Sequence, residues 1–151
     1  MLKFPALCAH RHTFFLNSNH MEWIAEAFER KWFYIGAIIV SSLYGLGGLI
    51  HIGNVVGFGE MKWIDSPTSW RVGDLWWGTL DMVAVVGVAF KSPIGIVALL
   101  LAATSQIVMY GYFPQLVALT DAHNATLRTL VYFNGIVVVV ASIALWIAGN
   151  K

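Results

Sequence analysis

The sequence predicts an all-α integral membrane protein: an antiparallel bundle of four transmembrane helices preceded by an amphipathic helix at the membrane surface. Three observations carry this. Trp32–Gly59, Ser92–Thr120 and Thr129–Asn150 contain no formally charged residue, and Leu75–Phe90 contains only Asp81. A helix needs roughly 20 residues to cross about 30 Å of hydrocarbon, and each stretch is near or above that length. Charged residues make up 11% of the chain, less than half of the roughly 25% usual in soluble domains.

These figures bound the function. In 151 residues that are 58% hydrophobic, four spans leave almost no chain for a soluble domain. Neither a GxGxxG nor a GxxxxGK run is present, so nothing points to a nucleotide-binding appendage. The net charge is +1 with no basic patch, which gives no argument for nucleic acid. Cys8 is the only cysteine, which rules out an intrachain disulfide and a CxxC centre. The first twenty residues do not read as a cleaved export signal, because Arg11, His10, His12, Asn17, Asn19 and His20 interrupt any apolar core.

Residues 1–18 are expected to be irregular, with Pro5 opposing an early helix. Asn19 followed by Glu22 has capping-box spacing. From there Met21, Ile24, Ala25, Phe28 and Trp32 recur at helical intervals, opposite Glu22, Glu26, Glu29 and Arg30. This predicts a surface helix over 19–31, docked on the bundle or on another protein.

Span one is expected at about 33–55. Its glycines are dense, and pairs such as Ser41 with Gly45 and Gly53 with Gly57 suit close helix packing. A loop over 58–74 follows, where Trp63, Trp70, Trp76 and Trp77 form an interfacial girdle and Ser66-Pro67 marks a turn. Span two runs over about 74–90. Lys91-Ser92-Pro93 reverses the chain, with Pro93 in the first turn of span three at about 94–113. A second loop, with Asp121, His123 and Asn124, leads to span four at about 128–149.

The basic residues set the orientation. Arg30, Lys31, Lys91 and Lys151 fall on one side, Lys62, Arg71 and Arg128 on the other. The tight Lys91 turn favours both termini on the cytoplasmic side, in a bacterial inner membrane.

Threading the spans in alternate directions brings one polar residue per helix to a similar depth: His51, Asp81, Gln106 and Asn134. An ionised carboxylate is costly in hydrocarbon, so Asp81 should face the interior and find a donor, a cation or a proton. The simplest expectation is a hydrogen bond to His51 or Gln106. A ligand-, quinone- or proton-related role, or contact with a partner subunit, stays open. Beside His51, Gly47 and Gly48 leave space of the kind a haem or chlorophyll macrocycle needs, making His51 the candidate cofactor ligand. Ligation by two histidines would require a second at facing depth, and His123 is the only one on that side. A packing histidine is the plainer reading.

Cys8, His10, His12 and His20 hold metal-competent atoms, but Cys-x-His-x-His lacks the paired spacing of structural zinc sites, and no metal site is assigned. Asn124-Ala125-Thr126 matches an N-glycosylation acceptor. Tyr44, Tyr110, Tyr112 and Trp77 read as packing or interfacial aromatics, with a quinone or lipid pocket as the alternative.

Four spans, with a longer loop after a glycine-rich first helix, give a layout over residues 32–150 that resembles the small DoxX/DoxD-type membrane proteins. That resemblance implies membrane redox chemistry such as quinone-linked sulfur oxidation. It rests on layout and assigns no functional residue. The leading expectation is a non-catalytic accessory or structural subunit of a larger membrane complex, such as a respiratory, photosynthetic or other electron-transport assembly. Its partners would be the lipid bilayer and other integral membrane subunits. The alternatives are a small membrane oxidoreductase or quinone-binding protein using Asp81 and His51, and a proton- or solute-transport subunit.

Overall fold

The computed structural model describes residues 19–59, 61–118 and 120–149, the side chains of Asn19 and His20 excepted. The expectations for residues 1–18, for Cys8, His10, His12 and His20 as metal-competent groups, and for an Asn19 cap lie outside the described residues. Within them all regular structure is helical: α1 (Asn19–Ala27), α2 (Lys31–Val55), α3 (Thr68–Ala89), α4 (Pro93–Tyr112) and α5 (Asp121–Gly149). Short 3-10 turns lie at Trp63–Asp65 and Pro114–Leu116. The four helices α2 to α5 are each long and apolar enough to cross a membrane.

Two helices begin earlier than the sequence predicts. Helix α3 starts directly after Pro67, so Trp70, Arg71 and Asp74 are helical and not part of a loop. Helix α5 starts at Asp121, which carries Asn124-Ala125-Thr126 into its first turns. Polar and aromatic residues near a span end resemble loop sequence, yet nothing prevents a helix from continuing past the hydrocarbon. Pro93 does open α4, in the first turn where its missing N–H goes unmissed.

Both ends of the α2–α3 pair close by the same device. At the end of α2, Phe58 N–H donates to Gly53 O (2.8 Å) and Gly57 N–H to Asn54 O (3.2 Å), with Gly57 at φ +96. This is a Schellman cap. Gly57 therefore terminates the helix, and the expected Gly53–Gly57 packing pair is not formed. At the end of α3, Ser92 N–H donates to Gly87 O (2.7 Å) and Lys91 N–H to Val88 O (3.0 Å). Here the left-handed position is taken by Lys91, at φ 52.

Successive helices pack in the order α2–α3–α4–α5, while α1 lies against α5 and α4. Small residues set the distances. A Cβ on Gly45 would stand 2.8 Å from Val85 Cγ2, and one on Gly48 2.6 Å from Met82 Cε. The closest approach is between α3 and α4, where a Cβ on Gly95 would meet Val88 N at 2.3 Å and Gly87 C at 2.5 Å.

Helix α1 docks through Ile24, Ala27 and Phe28, packed with Val88, Ile96, Leu145 and Ala148. Met21, Ala25 and Trp32 are exposed, so the buried face is narrower than the sequence predicts and turned toward Ala27. Outward, the long helices remain apolar: Leu46, Leu49 and Ile50 on α2 and Tyr132, Ile136 and Trp146 on α5 are all exposed. Helices α2 and α5 barely touch. Between them runs an apolar seam of about 370 Å³ that includes Gly36, Ala37, Val40, Phe133, Ala141 and Ala144.

Candidate functional site

The polar side chains predicted to share one depth all lie in or beside the interior, but they join different partners. Helix α2 carries Ser41, Tyr44, Gly48 and His51 at intervals of three or four residues, hence on one face. That face meets α3 and, at Tyr44, reaches α5.

Nearest the 58–67 connection, His51 Nδ1 and Asp74 Oδ1 share a hydrogen bond of 2.8 Å. Asn54 Nδ2 donates to the same carboxylate oxygen at 3.0 Å. Asp74 is thus held by two side chains one turn apart on α2. The His51 and Asp74 side chains are 18% and 8% exposed, so the pair is largely shielded from bulk water. The His51 ring also lies 5.9 Å from that of Trp77, which in turn lies 5.1 Å from Tyr110. Trp77 is buried and donates through Nε1 to Ser105 Oγ at 3.1 Å. Of the two readings the sequence offers for Trp77, interfacial or packing, its burial fits packing in the core.

Deeper, α2, α4 and α5 are linked. The Tyr44 hydroxyl donates to Asn134 Oδ1, and Asn134 Nδ2 donates to Gln106 Oε1 at 2.9 Å. Asn134 is fully buried, and its amide is used at both ends. Such bonds between spans stabilise a bundle by about 0.6 kcal/mol on average in membrane proteins.

Asp81 lies between these two groups and joins neither. It is 1% exposed, and its Oδ1 is buried without a hydrogen-bond partner. The expected bond to His51 or Gln106 is not formed: His51 pairs with Asp74 through Nδ1, and Gln106 accepts from Asn134 through Oε1. Tyr44 is likewise committed to Asn134. Asp81 instead occupies the notch that α2 leaves at its paired glycines: a Cβ on Gly47 would lie 3.2 Å from Asp81 Oδ2, and one on Gly48 2.9 Å from Asp81 Cβ.

That arrangement also tests the macrocycle expectation. The space beside Gly47 and Gly48 is filled by Asp81 and Met82 of α3, so the glycines serve helix contact. The residues around His51 do not fit a haem or chlorophyll ring at that place. Among the described residues no three His, Cys, Asp or Glu side chains are grouped as a metal site.

Two members of the polar layer are not identified by the sequence. Asp74 is not expected as the partner of His51, because the predicted span two begins only at that residue. Tyr44 was read as a packing aromatic, although it lies two turns before His51 on the same face. No family model, curated protein or solved structure matches this chain.

Proposed function

We propose that this chain threads a bilayer four times as an antiparallel bundle and serves as a non-catalytic subunit of a larger membrane assembly, its α2–α5 seam receiving a transmembrane helix of a partner. The observation that carries this reading is the seam itself. It is about 370 Å³ in volume and lined by apolar side chains, with the Trp32 indole at one end as its only side-chain donor. Gly36 sits on it with nothing within 4 Å of the position a Cβ would take, so no contact among the described residues explains the glycine. An approaching helix backbone does.

The antiparallel threading is supported by end-to-start contacts. His51, late in α2, meets Asp74, early in α3, while Tyr34, early in α2, donates to Ala89 O at the end of α3. The outward apolar faces suit hydrocarbon in place of water. The proposed setting is a bacterial inner membrane with both termini cytoplasmic, which rests on the basic residues around the Lys91 turn. A quinone headgroup in the seam would find no donor at the depth of the polar layer, which counts against the oxidoreductase alternative there.

A second reading is favoured by Asp81. A buried carboxyl oxygen without a donor is where a proton is taken up and released in proton-handling assemblies. Beyond the Tyr44–Asn134–Gln106 level the core is Phe33, Ala37, Val88, Ile96 and Leu145. Apart from buried Ser41, the described residues of that core offer no side-chain polar group for a path, and such a role would be exercised within an assembly.

Purification in mild detergent followed by mass measurement tests the leading reading. Retention of larger membrane partners is expected. A chain that leaves the membrane without detergent, or that is always isolated alone, contradicts it.

A further inference from the structure

The end of the bundle that holds the polar layer has a second feature, which shares Tyr110 with it. A cleft of about 250 Å³ opens between the C-terminal end of α4 and the first turns of α5, lined among others by Tyr110, Gly111, Asn124, Arg128 and Tyr132. Four of these bear hydrogen-bond donors: the guanidinium, one amide and two phenolic hydroxyls. None of the four side chains makes a hydrogen bond or ion pair among the described residues, and no carboxylate lines the cleft. Asp121, the acid nearest to Arg128 in sequence, stands two turns away and outside the lining.

The depth of Arg128 is set by the sequence that follows it. Helix α5 has 29 residues, about 43 Å at 1.5 Å per residue, which exceeds a hydrocarbon core of about 30 Å. Arg128 is the last charged residue before the uncharged run Thr129–Asn150. Given the membrane threading proposed above, on which this inference rests, Arg128 stands at the boundary between acyl chains and headgroups. It is a cation without an ion pair among the described residues, beside three neutral donors.

An anion with several acceptor oxygens satisfies this set, and a planar guanidinium suits phosphate in particular. We propose that the α4–α5 cleft binds the phosphate of an anionic membrane lipid, with Arg128 as counter-ion and Asn124, Tyr110 and Tyr132 as hydrogen-bond donors. Basic clefts between transmembrane helices recognise lipid headgroups by this chemistry. Because the cleft offers no acid to a choline, it should prefer phosphatidylglycerol to phosphatidylcholine. The same donors would accept free phosphate, so the source must be tested separately.

The test uses the full chain in nanodiscs and reads lipid retention by native mass spectrometry. In mixed phosphatidylcholine and phosphatidylglycerol, the wild type is expected to retain phosphatidylglycerol. Arg128→Gln should lose this retention by about tenfold, the loss of one charge-assisted contact, while Arg71→Gln keeps it. Equal retention of the two lipids by the wild type overturns the proposal without reference to any variant. So does Arg128→Gln behaving as wild type. If inorganic phosphate displaces the lipid and binds equally well in lipid-free detergent, the site belongs to a soluble anion and the lipid source is wrong. A wild-type chain that does not enter nanodiscs defeats the membrane threading itself, an outcome distinct from the others.

Discussion

Asp74, and not Asp81, is the carboxylate that meets His51, at 2.8 Å and with Asn54 as a second donor. The two acids stand two turns apart on one face of α3, yet among the described residues one is held by two hydrogen-bond partners and the other by none. Their substitutions should therefore behave in opposite ways.

Asp74→Ala removes the acceptor shared by His51 and Asn54 and leaves both in a largely buried place. A loss of about 1–3 kcal/mol is expected, read as a lower midpoint of unfolding in a detergent titration. Asp74→Asn, which keeps one oxygen acceptor, should fall between that variant and the wild type. Equal behaviour of Asp74→Ala and wild type would show that the contact contributes nothing.

Asp81→Asn breaks no hydrogen bond, keeps the volume of the side chain and removes a group whose ionised form is costly to bury. Stability equal to or above that of the wild type is expected from the same titration. A loss above about 2 kcal/mol, the scale of a broken buried contact, would mean that Asp81 has a partner after all. If activity of the host assembly disappears while assembly and stability survive, the proton-handling reading takes precedence over the purely structural one.

Gly95→Ala should be the most damaging of the small substitutions. The added methyl would stand 2.3 Å from Val88 N and 2.5 Å from Gly87 C, and backbone cannot rotate away as a side chain can. Separation of α3 from α4 is expected to cost about 3 kcal/mol or more. Gly135→Ala, which has nothing within 4 Å of its added methyl, is the matched control and should lie within about 0.5 kcal/mol of wild type. Similar midpoints for the two variants would contradict the close crossing.

Lys91→Gly should stabilise the turn. Lys91 holds a left-handed conformation at φ 52, which disfavours a residue with a Cβ by roughly 1–2 kcal/mol. Its side chain gains a 3.4 Å contact to an exposed Glu29, and such surface pairs contribute little. A rise of about 1 kcal/mol is expected; a fall would show that the Glu29 contact and the approach to the Tyr34 ring dominate.

The four long apolar helices were legible because an uncharged run such as Thr129–Asn150 declares itself without any knowledge of packing. The common level of His51, Asp81, Gln106 and Asn134 holds only in part: Gln106 and Asn134 meet at the level of Tyr44, whereas His51 pairs with Asp74 two turns nearer the 58–67 connection, with Asp81 between. Pairing was not legible. It depends on how each helix is rotated about its axis, and an error of one residue turns a side chain by about 100°. Hence Asp81 was matched to His51 while Asp74, a residue expected at the very edge of span two, held it. Tyr44 was overlooked because an aromatic in an apolar run needs no explanation until its hydroxyl finds Asn134. The Gly87–Gly95 crossing was hidden for another reason. It joins residues on either side of a tight turn, and glycine spacing within one helix says nothing about it.

The claim that the α2–α5 seam receives a partner helix is tested most directly by filling it. Gly36→Trp places an indole in the seam, whereas Leu49→Trp places one on the exposed face of α2 outside the seam lining. Membrane partners retained by the wild type in mild detergent should be lost from Gly36→Trp and kept by Leu49→Trp, with both variants still folded in the detergent titration. Partners retained equally by a folded Gly36→Trp would contradict the account, because the seam would then be covered by lipid alone.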